Sequence, residues 1–295
     1  MRAAAILGLG CTAKDLKPFQ FLPAAEWLIG MPALHAADVV LLFGGDGTIH
    51  RHLGQLVKLE LPVLVVPAGS GNDFAASIGL RRVRDSLAAW KAFCNGATNV
   101  RKIDLGIISP ISRPGDTPSM QGPRLFCCVA GVGLDGEVAR RANRLPRWLR
   151  GNGGYVMSLA PTIFTFSPFP LKIFARETNA QEWAIRSNQP TLLAVFANTP
   201  FYGGGMKVAP EAKMDDGLLD VCSVGAVGHL RLFRLFPTVY SGRHLDVREV
   251  EYFHSSRLRV ETEQPMDVYA DGEYVCRTPI ELSVQRSALK VIAPA

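Results

Sequence analysis

Gly44-Gly45-Asp46-Gly47-Thr48 limits the fold of this chain more than any other stretch. Ahead of it stands Asp38-Val39-Val40-Leu41-Leu42-Phe43, whose unbroken apolar run reads as a strand buried on both faces. Behind it, Ile49-His50-Arg51-His52-Leu53-Gly54-Gln55-Leu56-Val57 carries apolar residues at helical spacing. The glycines therefore sit on a turn from strand to helix. In a parallel sheet such turns line the crevice where ligands bind. Glycine removes the Cβ that would hold a phosphate away, and the N–H groups of the next helix favour an anion. One carboxylate inside the turn, Asp46, suits a Mg²⁺ that is itself bridged to phosphates. Glycine turns also occur without ligands; the Asp and Thr inside this one favour the ligand.

The first third alternates strand and helix. Ala3–Leu9 is expected as a strand and Pro23–Leu34 as helical for part of its length. Pro62–Val66 is a second buried strand, leading into Pro67-Ala68-Gly69-Ser70-Gly71-Asn72-Asp73-Phe74 and a short helix through Ile78. Val83–Phe93 is an amphipathic helix with Leu87, Trp90 and Phe93 on related faces. This alternation predicts a parallel α/β sheet. After about Val100 short β-branched or alternating runs separated by Gly and Pro take over, which predicts a β-rich second domain, a sandwich. Gly136–Leu159 and Val227–Tyr240 read as helical insertions, and Arg113–Pro123 as an exposed loop. The domains are set at 1–104 and 105–285, with residues 286–295 returning to the first as a strand.

At 48% hydrophobic and 20% charged residues, the chain can bury a core and is not a disordered segment. Its net charge of +6 suits an anionic partner, a nucleotide, a nucleic acid or an acidic membrane surface, though solubility alone accounts for it equally well. The six cysteines show no Cys-x-x-Cys and no zinc spacing, and adjacent Cys127 and Cys128 lie in an apolar run, so a reduced, cytoplasmic protein is expected. The apolar N-terminus is explained better by a first buried strand than by a signal, and no apolar run approaches the ~20 residues of a membrane span. There is no Gly-x-x-x-x-Gly-Lys-(Ser/Thr) loop, and Ser70 does not sit in Gly-x-Ser-x-Gly. His50 and His52 lie on one short helix without a third ligand, so they are read as surface or phosphate-side residues. Arg140, Arg141, Arg144, Arg147 and Arg150, mixed with Leu145, Trp148 and Leu149, form either a solvated helix face or a contact with an anionic membrane.

Several stretches taken in order carry a resemblance. They are Gly44–Thr48, Pro67–Ala75, Lys102-Ile103-Asp104-Leu105-Gly106, Asn198 with Gly203–Met206 and Pro210, Asp215-Asp216-Gly217-Leu218-Leu219-Asp220, and Asp271-Gly272-Glu273. Together they resemble the diacylglycerol kinase catalytic domain, in a superfamily shared with NAD kinases. The Gly-Asn-Asp-Phe-Ala and Asp-Asp-Gly-Leu-Leu-Asp pieces resemble the bacterial soluble lipid kinases near the sphingosine and ceramide kinase branch. The resemblance implies an α/β nucleotide domain, a C-terminal β-sandwich, and ATP and Mg²⁺ as cofactors. It implies ATP contacts from Gly44, Gly45, Asp46, Gly47, Thr48, Ile49, His50, Arg51, Gly69, Ser70, Gly71 and Asn72. Asp216, with the carbonyls of Lys213 and Leu218, would hold a structural Mg²⁺; Asp46, Asp73 and Asp104 would add carboxylates around magnesium. Glu273 would be the base that takes the acceptor's hydroxyl proton, with Asp271 as the competing base.

The chain departs from the family pattern in two places. The strand-then-Asn-Pro-x-(Ser/Ala)-Gly opening is replaced by Gly8-Leu9-Gly10-Cys11-Thr12-Ala13-Lys14, and His50-Arg51 stands where Asn-Glu is usual. The missing Glu puts one metal or ribose contact in question. The expected function is ATP-dependent phosphorylation of a hydroxyl on a membrane-derived lipid such as diacylglycerol, with peripheral contact to anionic membrane and a homodimer left open, and no nucleic acid. An NAD-kinase-like activity on a soluble nucleoside and a non-catalytic lipid- or nucleotide-binding regulator are the alternatives.

Overall fold

The structure, a computed structural model, describes residues 1–20, 26–112, 122–144, 152–176 and 182–294. The chain divides into two units, Met1–Asp104 with Arg286–Ala295, and Leu105–Gln285. In the first, β1 (Arg2–Leu7), α1 (Ala13–Gln20), β2 (Glu26–Ile29), β3 (Val39–Gly44), α2 (Asp46–Leu59), β4 (Pro62–Pro67), α3 (Asp73–Ser77) and α4 (Val83–Cys94) precede β5 (Val100–Pro110), which leads out. Strands β2, β1, β3 and β4 pair in that order, all parallel. Lys290 and Val291 add parallel to β4, so the end of the chain becomes a strand of this sheet. Every residue of β3 is buried, as its apolar run requires of a strand covered on both faces.

The helices bury one stripe each. α2 buries Ile49, Leu53 and Leu56, spaced by four and three residues, and α4 buries Ser86, Ala89 and Trp90. The Trp90 indole N–H donates to the Phe19 carbonyl of α1 at 3.1 Å, which satisfies the one polar atom of a fully buried ring. The expectation of helix within Pro23–Leu34 is corrected here: Glu26–Ile29 is an edge strand pairing with Arg2–Ala5. Its Trp27 packs on Trp90 at 6.1 Å, and this tertiary contact, invisible locally, decides against the helix.

The second unit continues with β6 (Arg124–Phe126), β7 (Val129–Gly133), α5 (Leu134–Arg144), α6 (Asn152–Thr165), β8 (Phe169–Ala175), β9 (Ala184–Ala197), β10 (Leu219–Gly225), α7 (His229–Leu235), β11 (Val250–Ser255), β12 (Arg257–Thr262), β13 (Asp267–Ala270), β14 (Glu273–Arg277) and β15 (Ile280–Ile292). The pairs β5–β6, β7–β9, β8–β9, β9–β10, β10–β11, β7–β13, β13–β14, β8–β12 and β12–β15 are antiparallel. Strand β9 organises it. Its first half pairs with β8, and its second half runs between β7 and β10. The inward faces meet in one apolar core, with Phe126, Ile173, Phe196, Val221, Leu258 and Ile280 fully buried. The two helical insertions fall where the sequence places them, as α5 with α6, and as α7 with a 3₁₀ turn at Phe236–Tyr240. The Arg113–Pro123 loop lies almost wholly outside the described residues.

Asn99 ties the returning strand into the first unit. Its side-chain N–H₂ donates to the carbonyls of Ala89 (3.0 Å) and Ala293 (2.9 Å), and its own carbonyl accepts from Ala293 N. Asn99→Ala leaves two buried carbonyls without this donor. A buried group left without its partner costs about 1–3 kcal/mol, so the variant is expected to melt several degrees early. An unchanged melting temperature would show that the side chain contributes nothing to holding the strand.

Candidate active site

Three loops leave the carboxyl ends of neighbouring strands of the first unit. Gly8 follows β1, Gly44-Gly45 ends β3, and Ala68–Asn72 follows β4. They touch backbone to backbone. The Gly8 amide donates to the Phe43 carbonyl (2.7 Å), Ala68 N to Gly44 O (3.1 Å), and Asp46 N to Gly71 O (3.2 Å). A Cβ on Gly45 would overlap the Gly71 carbonyl oxygen and stand 2.9 Å from Gly69 Cα; one on Gly69 would stand 2.7 Å from Gly45 N. Both positions therefore require glycine for the loops to meet at all. Asn72 closes the second loop on itself, accepting from Gly69 N (3.0 Å) and donating to Gly69 O (2.8 Å).

Asp46 joins the first loop to the second. Its two carboxylate oxygens accept the amides of Asp73 and Phe74, each at 3.0 Å, and so cap α3 from a position 27 residues earlier. The carboxylate thus holds a helix, a role that the reading of Asp46 as suited to Mg²⁺ did not include. Asp73 is buried at the first position of α3. α2, in contrast, begins at Gly45 with no side-chain cap, so its N-terminus keeps its affinity for an anion. Ile49 is buried, His50 half-buried, and Gly47, Arg51, Gly69 and Ser70 are exposed around these turns. Asp104, also buried, accepts the Ser287 amide at 2.6 Å, at a residue of left-handed backbone (φ 50°) in β15. The unfamiliar Gly8–Lys14 segment is ordered: Thr12 starts α1, with its N–H and hydroxyl both on the Asp15 carboxylate.

In the second unit, Asp271-Gly272 forms a two-residue hairpin turn with both residues at positive φ (50° and 84°), and Ala270 faces Glu273 across it. The two acids of the turn differ. Asp271 turns back and accepts the amides of Cys127 (2.9 Å), Cys128 (2.8 Å) and Val129 (3.3 Å). Asn198 takes the other side of the same segment, with Nδ2 on the Cys127 carbonyl (3.0 Å) and its backbone N–H on Cys128 O (2.8 Å). Glu273 is exposed at the start of β14. The six cysteines form no disulfide.

The 211–220 turn gathers acids. Asp216 accepts the Leu218 amide at 2.9 Å, while Asp215 and Lys213 are exposed. Burial pushes the Asp220 carboxyl above its usual range, and the nearby Asp216 charge adds to this against the Tyr252 hydroxyl bond of 2.6 Å. Carboxylates gathered in one turn offer the hard oxygen donors that Mg²⁺ or Ca²⁺ prefers.

A cavity that sequence reading missed lies within the second unit. It is lined almost wholly by apolar side chains, among them Val138, Leu159, Ile163, Leu232, Leu235 and Phe236. Few polar groups reach it. His244 is one; burial pushes its imidazole below the usual histidine range, and one ring nitrogen meets the Val208 carbonyl at 3.1 Å. No local signal marks such a cavity, because its lining comes from many separate elements. Arg140 and Arg141 both turn onto Glu137, whose carboxyl they hold below its usual range; residues 145–151 of that basic stretch lie outside the described residues.

Comparison with known proteins gives two domain matches. Residues 24–108 match the diacylglycerol kinase catalytic domain, and residues 128–293 match the YegS C-terminal NAD kinase beta sandwich-like domain. A diacylglycerol kinase of Mycobacterium tuberculosis is 33% identical over 270 residues, covering 92% of this chain and 81% of the relative. Among solved structures, a candidate diacylglycerol kinase from Bacillus anthracis superposes with a TM-score of 0.72 at 20% identity, over 99% of this chain and 96% of that one. An NAD kinase from Archaeoglobus fulgidus, solved in complex with ATP, gives 0.51 at 14% identity, over 100% and 94%. These two likenesses establish an NAD-kinase-like fold.

The double use of Asp46 has a measurable consequence. In Asp46→Asn one acceptor oxygen becomes an N–H₂ facing a backbone amide. Loss of a cap costs about 0.5–2 kcal/mol. The variant is expected to melt earlier than wild type as well as losing turnover. Wild-type stability in Asp46→Asn would remove the carboxylate from the α3 cap.

Proposed function

The chain belongs to the diacylglycerol kinase family, and from that premise we propose that it transfers the γ-phosphoryl group of ATP to a hydroxyl of a long-chain lipid such as diacylglycerol. The observation that carries the lipid over a soluble nucleoside is the apolar cavity of the second unit. A nucleoside has nothing to place against Val138, Leu159, Ile163 and Phe236, whereas an acyl chain buries its methylenes there at about 0.8 kcal/mol each.

The nucleotide is assigned to the first unit. The uncapped start of α2, with Gly44–Thr48 and the exposed Gly69-Ser70 turn, offers backbone N–H groups to the phosphates, and Arg51 adds charge. Asp46 and Asn72 keep these loops in shape before any ligand arrives. The buried carboxylates Asp73 and Asp104 are assigned to a Mg²⁺ that neutralises phosphate charge, and Asp216 with the Lys213 and Leu218 carbonyls to a structural Mg²⁺. In the reaction the lipid hydroxyl oxygen attacks the γ-phosphorus, the bond to the departing ADP breaks, and the hydroxyl proton passes to Glu273. Glu273 suits this because its carboxylate is exposed, whereas Asp271 is engaged with three backbone amides.

Transfer of label from γ-labelled ATP into an extracted lipid mixture tests the reading. A phospholipid-like product is expected; label on a soluble nucleoside, or no transfer at all, would favour the NAD-kinase-like or regulator reading. Val227→Trp, which fills part of the cavity, is expected to raise KM for long-chain lipid by about tenfold or more and to leave KM for ATP unchanged. An unaltered lipid KM would place the acyl chain elsewhere.

A further inference from the structure

Helix α7 carries apolar side chains on two sides and buries none of its residues fully. Leu232 and Leu235 line the cavity, and Leu232 packs with Phe236 on buried Leu159 and Ile163. Leu230 and Phe233 do not reach the cavity and are 57% and 47% exposed. Phe164 of α6, half exposed, joins them, its ring 5.9 Å from Phe233 and edge-on to His229 at 6.4 Å. Three large apolar side chains thus gather at the surface, on the two helices that wall the cavity. A cluster of this kind marks an interaction site more often than a chance exposure.

The charge around the cluster identifies what it meets. Helix α7 itself carries two arginines, 231 and 234, and no acid. Glu249 is paired with Arg231. Arg234 is exposed and enters no ion pair among the described residues. A second copy of the same basic face would bring like charges together, whereas an anionic bilayer complements them. We propose that the Leu230–Phe233–Phe164 face, with Arg234 beside it, docks this protein on anionic lipid bilayers. Apolar side chains enter the headgroup boundary and the arginines stay among the lipid phosphates, as in other interfacial helices. Arg140 and Arg141 of the other basic stretch are both paired with Glu137. Only the further step, that a lipid passes from the bilayer into the cavity behind α7, rests on the lipid-kinase reading.

Sedimentation of the full chain with vesicles tests the surface without any assay of turnover. Wild type is expected to bind vesicles of equal parts phosphatidylcholine and phosphatidylglycerol more tightly than vesicles of phosphatidylcholine alone. The double variant Leu230→Ser, Phe233→Ser is expected to bind about tenfold more weakly or worse. Arg234→Gln should lose about fivefold on the anionic vesicles and nothing on the neutral ones, with its melting temperature unchanged. Unchanged binding by the double variant, or no binding by wild type, would overturn the proposal. So would a double variant that loses self-association while keeping its vesicle affinity, because the face would then cover a second copy. Transfer to detergent-dispersed lipid separates the two readings: its absence in wild type counts against the kinase and leaves the vesicle result standing. The double variant should keep that transfer while losing transfer to lipid held in vesicles.

Discussion

One carboxylate shared by two backbone amides holds the glycine loops of the first unit together. Asp46 sits in the turn after β3, yet its oxygens bind Asp73 and Phe74 at the start of α3, across the loop that follows β4. The bond is usable only because Gly45 and Gly69 lack side chains and let the loops approach. A charge-assisted bond of this kind is about twice as strong as a neutral one. It also removes the α3 N-terminus from competition for an anion and leaves the α2 N-terminus, which has no side-chain cap, as the place where a phosphate gains most.

The second unit repeats the device. Asp271 and Asn198 bind the amides and carbonyls of Cys127–Val129 from two sides, which fixes the entry to β7. Strand β7 runs on into Leu134, Asp135 and Val138 of α5, all of them in the cavity wall. The hydrogen bonds that shape the Asp271-Gly272 turn therefore also anchor one side of the apolar cavity.

Much of this was legible in the sequence because it is local. The buried run Val39–Phe43, the glycine turn after it and the helical spacing of Ile49, Leu53 and Leu56 specify a strand, turn and helix without outside help. Asp271-Gly272 likewise announces its own hairpin. What escaped depends on distant partners. Strand β2 looks helical until Trp27 is seen against Trp90. That Asp46 also caps a helix shows only when α3, 27 residues on, is placed against it. The cavity draws its walls from α5, α6, α7 and β9 to β11, and no single window of sequence shows a void. Family resemblance pointed to Asp271 and Glu273 together; the structure tells them apart, with Asp271 accepting three backbone amides and Glu273 exposed.

That separation gives the most direct test of the account. Glu273→Gln and Asp271→Asn should be compared side by side for turnover with ATP and a lipid acceptor, and for thermal stability. The account predicts that Glu273→Gln lowers kcat by about 10²- to 10⁴-fold while melting and ATP affinity stay near wild type, and that Asp271→Asn melts early because amides of Cys127–Val129 lose a charged acceptor. Full activity in Glu273→Gln together with a stable but inactive Asp271→Asn would contradict it, since the base would then be the residue assigned to holding the backbone.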